Sequence, residues 1–517
     1  MTTAAVNALI VVAYFALTLW IGRRFAGPQG TLDDYMLAGR NIPWWAAAFS
    51  IVATETSTLT FIGLPAIAYG GDLTFLQVAL GYVVGRFFVA LVLVQGYFDG
   101  RFSTAYEVLA VRFGGSAQTT AALVFVVNRV MADGVRLFAT ALVLVELLPL
   151  GLPAVARLPM SIALVIGVTL YYTLRGGLRA VIWNDFAQQI IYVGGAALAG
   201  WILLRRIPGG WASAAPGLAA AGKLQWLDLS FDLSPEFFAV PYTFLGGLIG
   251  GAVLTAATHG TDQMFVQRLL ATGSPRRAKQ AVVASGFLVF AQIALFLWIG
   301  TLLYAFYQAV PPAVPFAAND TVFPRFIAEE LPLGLGGLVI AAVFAAAMST
   351  LSSSLSSLAS TSTIDLWRRA IGSGPQEGAG VGDAEQSTQE ALRMSRRFTV
   401  GWAFGLAAVA FVAQAWGSVL EAGLTITSIT FGAVLGIFLV GKTGWRVGAN
   451  QASIAMLTGI GLLILVQQLP RIGALLGYEL IGVAWTWYTP LGALATVACA
   501  GLLSLKSGGW SATGDEG

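Results

Sequence analysis

The chain has 517 residues, 57% of them hydrophobic and 10% charged, with a formal net charge of +3. Soluble domains carry about 25% charged residues, so a single water-facing globule is excluded and lipid must be the solvent for most of this surface. Cys499 and His259 are the single cysteine and histidine, which excludes a disulfide framework, a zinc cluster and a Cys–His catalytic pair.

The first apolar run has no positive charge ahead of it, so it reads as a retained anchor rather than a cleaved signal peptide. Apolar stretches of about 20 residues or more predict thirteen membrane-spanning helices, near 4–22, 43–70, 74–98, 117–148, 155–174, 179–204, 237–267, 278–308, 334–366, 397–415, 418–441, 449–469 and 483–505. Arg23 and Arg24 directly follow the first span, which places the N-terminus outside and the C-terminus inside. Alternation then puts most of the 28 Lys and Arg residues in cytoplasmic segments, Arg268 among them. Arg86, Arg129 and Arg136 stay at membrane depth. Residues 371–391 are rich in Gly, Gln and Glu and read as a flexible cytoplasmic loop, and the tail from 507 reads as disordered.

Ionisable or hydroxylated side chains inside a bilayer are functional candidates by default. Along the second span, Ala53-Thr-Glu-Thr-Ser-Thr-Leu-Thr60 is too polar for a lipid-facing helix. Such a stretch can unwind and offer carbonyls to a cation; packing threonines with Glu55 in an ion pair are the plainer reading. The fourth span holds Asn128, Arg129, Asp133 and Arg136. Arg129 and Asp133 are spaced for an intrahelical pair, while Arg136 could clamp a substrate carboxylate or pair with Asp133 or Glu55.

In the sixth span Asp185 has no basic residue within four positions. It calls for a metal ion, a proton or a distant partner, unless it caps a helix end. The seventh span has paired glycines suited to a second broken helix, then His259, Asp262 and Gln263; His259 reads first as a structural residue. In the ninth span Ala346, Ser349, Thr350 and Ser353 share one helix face, continued by Ser357 and by Ser360 or Thr361. Eleven hydroxyls between 349 and 363 exceed what helix packing needs. Sodium is a hard cation that takes oxygen ligands, and neutral hydroxyls with carbonyls release it readily.

Taken together and in this order, YMLAGRNIPWW, GGLRAVIWNDFAQ, HGTDQMFVQR, AAAMSTLSSSLSS and FGAVLGIFLVG resemble the sodium/solute symporter family, over residues from about 30 to 450. The resemblance implies an all-α polytopic protein with a LeuT-like core of two inverted five-helix repeats. It divides the chain into an N-terminal helix and linker at 1–42, repeat one at 43–205, an extracellular loop at 206–236, repeat two at 237–441, two C-terminal helices at 442–506 and the tail at 507–517. The first helix of each repeat, 43–70 and 237–267, would be broken.

The family pattern further implies a sodium site from the carbonyls of Ala53, Thr56 and Ala346 and the hydroxyls of Ser349 and Thr350. A second sodium site would use Asp185, Ser349, Ser352 and Ser353. Glu55, Ser57, Thr60 and Arg136 fall at or near substrate-lining positions. The implied function is sodium-coupled import of a small polar solute bearing a carboxylate, with a sugar or polyol symporter, a transporter-like nutrient sensor and a channel as alternatives. Sodium is the implied ion, the lipid bilayer the surroundings and the plasma membrane (the inner membrane in a bacterium) the location. A monomer suffices for transport; no nucleic-acid partner and no enzymatic activity are expected.

Overall fold

The computed structural model describes residues 3–27, 29–100, 102–147, 153–332, 334–371, 381–413 and 419–506. Fourteen long helices carry the architecture: α1 (Thr3–Arg24), α2 (Trp44–Glu55), α3 (Thr58–Gly70), α4 (Leu76–Phe88), α5 (Gly115–Leu147), α6 (Ala154–Arg206), α7 (Phe244–Thr261), α8 (Gln263–Leu270), α9 (Pro275–Ala309), α10 (Leu335–Thr361), α11 (Val381–Val412), α12 (Val419–Val440), α13 (Ala449–Leu476) and α14 (Tyr488–Lys506). Each of the thirteen predicted spans coincides with one of these helices or with a broken pair.

Among the described residues, seven helices are long and apolar enough to cross a bilayer alone, and α2 with α3, bent by 67°, makes an eighth. The shortfall from thirteen has physical causes. The helix α6 holds two predicted spans in one 53-residue run, bent where Gly177 adopts φ +56°. A side chain there would sit 2.6 Å from the carbonyl of Tyr35, so only glycine fits the bend. The helix α5 carries Arg129, Asp133 and Arg136, and α7 is diluted by glycine and interrupted before α8. One expectation needs correction. Residues 381–391, read as the second part of a flexible loop, form the first turns of α11, where their Glu, Gln and Ala have good helix propensity. Residues 372–380 and the tail 507–517 lie outside the described residues.

Both breaks arise where the sequence offers polar substitutes for the helical ladder. At the first, Thr56 (φ −93°, ψ 118°) and Ser57 (φ −113°, ψ 178°) are extended. Thr56 turns its hydroxyl back to the carbonyl of Val52 at 2.7 Å, and the Ser57 amide donates to the Thr60 hydroxyl at 3.3 Å. At the second, Asp262 (φ −85°, ψ 125°) ends α7 and caps α8, accepting from the amide of Met264 at 2.8 Å.

The helix α10 runs through the centre, with nearly every residue from Gly336 to Thr361 buried. The helix α4 packs along α7 through small residues, Gly81 against Gly247 and Gly251, and Gly85 against Ala252. This is the small-xxx-small spacing that lets two backbones touch. Two apolar cores result. In one, Phe61 meets Tyr192, Phe296 and Phe323 at ring distances of 5.4, 5.2 and 5.1 Å; the other includes Phe265, Leu269, Leu355 and Leu358. Val52 and Phe61, which flank the first break, belong to the former, and Ala257 and Met264, which flank the second, to the latter.

A methyl group at Gly81 would stand 2.6 Å from the carbonyl of Gly247. Gly81→Val should therefore lower the melting temperature of the purified protein by several degrees. Gly461→Ala, where nothing lies within 4 Å, should leave it unchanged or raise it slightly. Equal effects of the two would contradict the close α4–α7 packing.

Candidate functional site

The break between α2 and α3 lies against α10. In a continuous helix the carbonyl of Ala53 would accept from the amide of Ser57, but that amide points to Thr60. Ser349 fills the gap, donating to the Ala53 carbonyl at 2.7 Å while standing 3.1 Å from the carbonyl of Ala346. Thr350 donates to the carbonyls of Thr54 at 3.2 Å and Ala346 at 3.3 Å, and Thr54 shares a hydroxyl hydrogen bond with Ser353 at 2.8 Å. Ala53, Thr56, Ala346, Ser349 and Thr350 are all buried. Four of these five expected sodium ligands are thus tied directly to one another. Thr56 stands at the break itself, three residues from Ala53. Two carbonyls and two hydroxyls gathered at one buried point are the oxygen donors that a hard monovalent cation takes.

Asp185 is fully buried, and the structure supplies the distant partner that the sequence called for. Arg268 reaches its Oδ2 at 3.0 Å, and Ser50 donates to the same oxygen at 2.6 Å. Arg268 also donates to Ser50 at 2.7 Å and contacts the Ser353 hydroxyl. Arg268, placed by the sequence in a cytoplasmic segment, has no exposed side-chain surface. Asp185 and Ser353 therefore meet through a guanidinium, while the second Asp185 oxygen is buried without a hydrogen-bond partner among the described residues. Ser352 is buried with its hydroxyl on the carbonyl of Ser349 at 3.1 Å.

A cavity opens from the break along α3. Glu55, Ser57, Thr60, Arg136, Tyr82 and Thr255 are among its lining. All four sequence-based substrate candidates therefore face one space, but two are engaged. Glu55 is paired directly with Arg86, with His259 Nε2 at 3.5 Å, and Arg86 also holds Ser285 at 3.1 Å. His259 stacks on Phe265 at 4.2 Å and shares a hydrogen bond with Thr258 at 3.0 Å. Arg136 pairs with Asp133 at 2.6 Å yet keeps 20% of its side chain exposed; its other nitrogens have no partner among the described residues.

The expected Arg129–Asp133 contact is present at 3.6 Å, but Arg129 pairs more closely with Asp262 at the second break. Sequence reasoning missed Arg86 and Arg268 as partners. For Arg268 a signal existed: Gln263 and Gln267 sit at i, i+4 on an otherwise apolar short helix, a polar face pointing inward.

The sequence model described as the Sodium:solute symporter family matches residues 35–459. A sodium/sialic acid symporter, SiaT of Proteus mirabilis, is 29% identical over 88% of this chain and 88% of its own length. NanT of Aliivibrio fischeri, also a sodium/sialic acid symporter, is 27% identical over 89% of this chain and 87% of its own. The solved outward-open, substrate-bound structure of a Na+-coupled sialic acid symporter superposes with a TM-score of 0.82, at 24% identity, over 99% of this chain and 100% of that one. The fold is therefore the LeuT-like one, with one extra helix before the inverted repeats and two after.

Removing one partner of a buried ion pair leaves an uncompensated charge and costs about 3–5 kcal/mol, whereas removing both is far cheaper. Arg86→Met should accordingly destabilise the protein strongly, and adding Glu55→Gln should restore much of the loss in thermal denaturation. Additive losses would mean that the two residues are not coupled.

Proposed function

The chain belongs to the sodium:solute symporter family, and from that premise we propose that it imports a small polar solute bearing a carboxylate, such as an amino acid, a sialic acid or another organic acid. The observation that carries this reading is Arg136. It is an arginine on the cavity wall, partly open, with a single carboxylate on one nitrogen. A guanidinium fork is suited to planar bidentate capture of a second carboxylate.

Charge balance points the same way. Arg86, Arg129 and Arg136 face Glu55, Asp133 and Asp262, so the charges of these six side chains sum to zero before loading. A sodium ion alone would leave an uncompensated positive charge in a low-dielectric interior. A carboxylate solute offsets one such charge, so each cargo favours entry of the other.

In this reading the carbonyls of Ala53, Thr56 and Ala346 and the hydroxyls of Ser349 and Thr350 bind sodium. The hydroxyls that now donate to those carbonyls would rotate and turn lone pairs to the ion. Asp185, Ser352 and Ser353 form the second sodium site, which requires Arg268 to give up its contact with Ser353. Ser57 and Thr60 line the solute cavity beside Arg136, and Glu55 shapes its wall while held by Arg86. Outside sodium stabilises the outward-open state by linking α10 to the first break, and the solute binds. Rocking of the repeats then opens the site inward. With two sodium ions and one carboxylate, the one net charge crossing 100 mV supplies about 2.3 kcal/mol, enough to concentrate the solute by tens of fold.

A second reading is a sugar or polyol as substrate. It is favoured by the 2.6 Å Arg136–Asp133 bond, which already occupies one guanidinium nitrogen, and by the hydroxyls of Ser57, Thr60 and Thr255 in the lining. Uptake into proteoliposomes under an inward sodium gradient, screened over carboxylates, amino acids, sialic acids and sugars, separates the two.

In that assay Ser349→Ala or Thr350→Ala should raise the sodium concentration for half-maximal uptake several-fold; an unchanged sodium dependence would sink the site assignment. Arg136→Ala should reduce transport of carboxylate solutes by about tenfold or more, the loss of one charge-assisted contact of at least about 1.5 kcal/mol. An equal loss for neutral solutes would favour the sugar or polyol reading.

A further inference from the structure

A cleft at the cytoplasmic face shares no lining residue with the solute cavity. Three elements meet there: the linker that follows α1, the bend of α6 at Gly177, and α11 as it enters the bilayer. Gln29 on the linker joins the other two. Its side-chain amide donates to the carbonyl of Arg175 on α6, and its Oε1 accepts from Arg396 on α11 at 2.9 Å. The space between them is about 560 Å³, with Arg175, Arg396 and Arg397 as its charges and Leu174 and Val400 as its apolar lining.

The three guanidiniums are exposed, and among the described residues none of them lies within ion-pair distance of a carboxylate. The nearby acids of the linker are taken: Asp33 pairs with Arg40 at 2.9 Å, and Asp34 holds the hydroxyl of Thr31 at 2.8 Å. A further arginine adds to the field. Arg23 and Arg175 lie 5.7 and 5.6 Å from the centre of the same Tyr171 ring, and Arg23 donates to the Tyr171 hydroxyl at 2.7 Å. Like charges held together raise the energy of the empty cleft and favour an anion. Guanidinium forks match the oxygens of a phosphate.

The order of residues along the helices narrows the choice of anion. The first leg of α6 comes from outside and α11 starts in the cytoplasm, so on both helices the apolar lining lies on the bilayer side of the arginines. On α6, Leu170 and Leu174 precede Arg175; on α11, Val400 follows Arg397 by nearly one turn. About one turn deeper, Phe404 is 72% exposed, and on a membrane-spanning helix such a surface faces acyl chains. Charge at the membrane surface with an apolar wall behind it matches a phosphate joined to hydrocarbon. A dissolved phosphate would use the arginines alone.

We propose that this cleft binds an anionic phospholipid of the cytoplasmic leaflet, its phosphate held by Arg175, Arg396 and Arg397 and an acyl chain laid along Leu174, Val400 and Phe404. Basic pockets between membrane helices on this side suit such headgroups. The linker, α6 and α11 each supply one wall, so the bound lipid ties the end of α1 and the bend at Gly177 to α11. Its binding is independent of which solute the cavity carries.

The affinity for the first bound lipid can be read by native mass spectrometry on the purified, delipidated full chain, titrated with phosphatidylglycerol or phosphatidylcholine. The parent should bind phosphatidylglycerol at least fivefold more tightly than phosphatidylcholine, and Arg175→Gln/Arg396→Gln/Arg397→Gln should remove that preference. A control triple, Arg276→Gln/Arg277→Gln/Arg446→Gln, removes equal charge from other exposed cytoplasmic positions and should retain it. A parent without the preference would overturn the proposal. Equal losses in the two triples would do the same, reducing the effect to general attraction by the basic face. Inorganic phosphate and glycerol 3-phosphate should displace phosphatidylglycerol only in large molar excess; displacement at concentrations comparable to the lipid would assign the cleft to a soluble anion, against the proposal. Should the cleft triple fail to fold, Arg397→Gln alone decides: it should weaken phosphatidylglycerol at least twofold with phosphatidylcholine unchanged, and an unaltered phosphatidylglycerol affinity would count against the cleft.

Discussion

The structure depends on one exchange of hydrogen bonds. Where α2 gives way to α3, the backbone at 53–57 leaves the helical ladder inside a region with no water to replace it. Unsatisfied carbonyls there would each cost several kcal/mol. The hydroxyls of Ser349 and Thr350 supply the missing donors, so the broken helix and α10 hold each other in place. On the reading proposed above, the same oxygen atoms form the cation site once the hydroxyls rotate. The contact that stabilises the fold and the contact that binds the ion are therefore alternatives at a single location, which is what a transporter needs if the ion is to bias its conformation.

The surroundings enforce that location. Apolar residues packed beside each break and the close contact between α4 and α7 fix the backbone around it. There each embedded charge is compensated by a partner from another helix or another turn. Glu55 and Asp262, beside the two breaks, are each matched by an arginine from a neighbouring helix. Asp365, at the far end of α10, departs from this rule: it accepts from the neutral side chains of Thr104 and Gln118.

Much of this was legible in the sequence, for specific reasons. The spans are visible because lipid demands long apolar runs, and the two broken helices because their centres are too rich in hydroxyls and glycine to be lipid-facing. The hydroxyl stripe on α10 is a local periodicity. The pairings were less accessible. Arg86 and Glu55 are 31 residues apart, and Arg268 and Asp185 are 83 apart, so no helical spacing relates them. Arg268 resembled a loop arginine because it lies near a turn, although tertiary packing buries it. Gly177 looked like the edge of a loop, whereas its positive φ bends a continuous helix. The start of α11 looked like loop because polarity was given more weight than the helix propensity of the same residues.

The central claim is that sodium binds where α10 meets the first break and holds the two together. Its most direct test is the thermal unfolding of the purified protein, without solute, in rising sodium at constant ionic strength balanced with potassium or choline. Binding to the folded state alone predicts a saturable rise in melting temperature that only sodium produces, growing with ligand as mass action requires. An unfolding curve indifferent to which of the three cations is present would contradict the account.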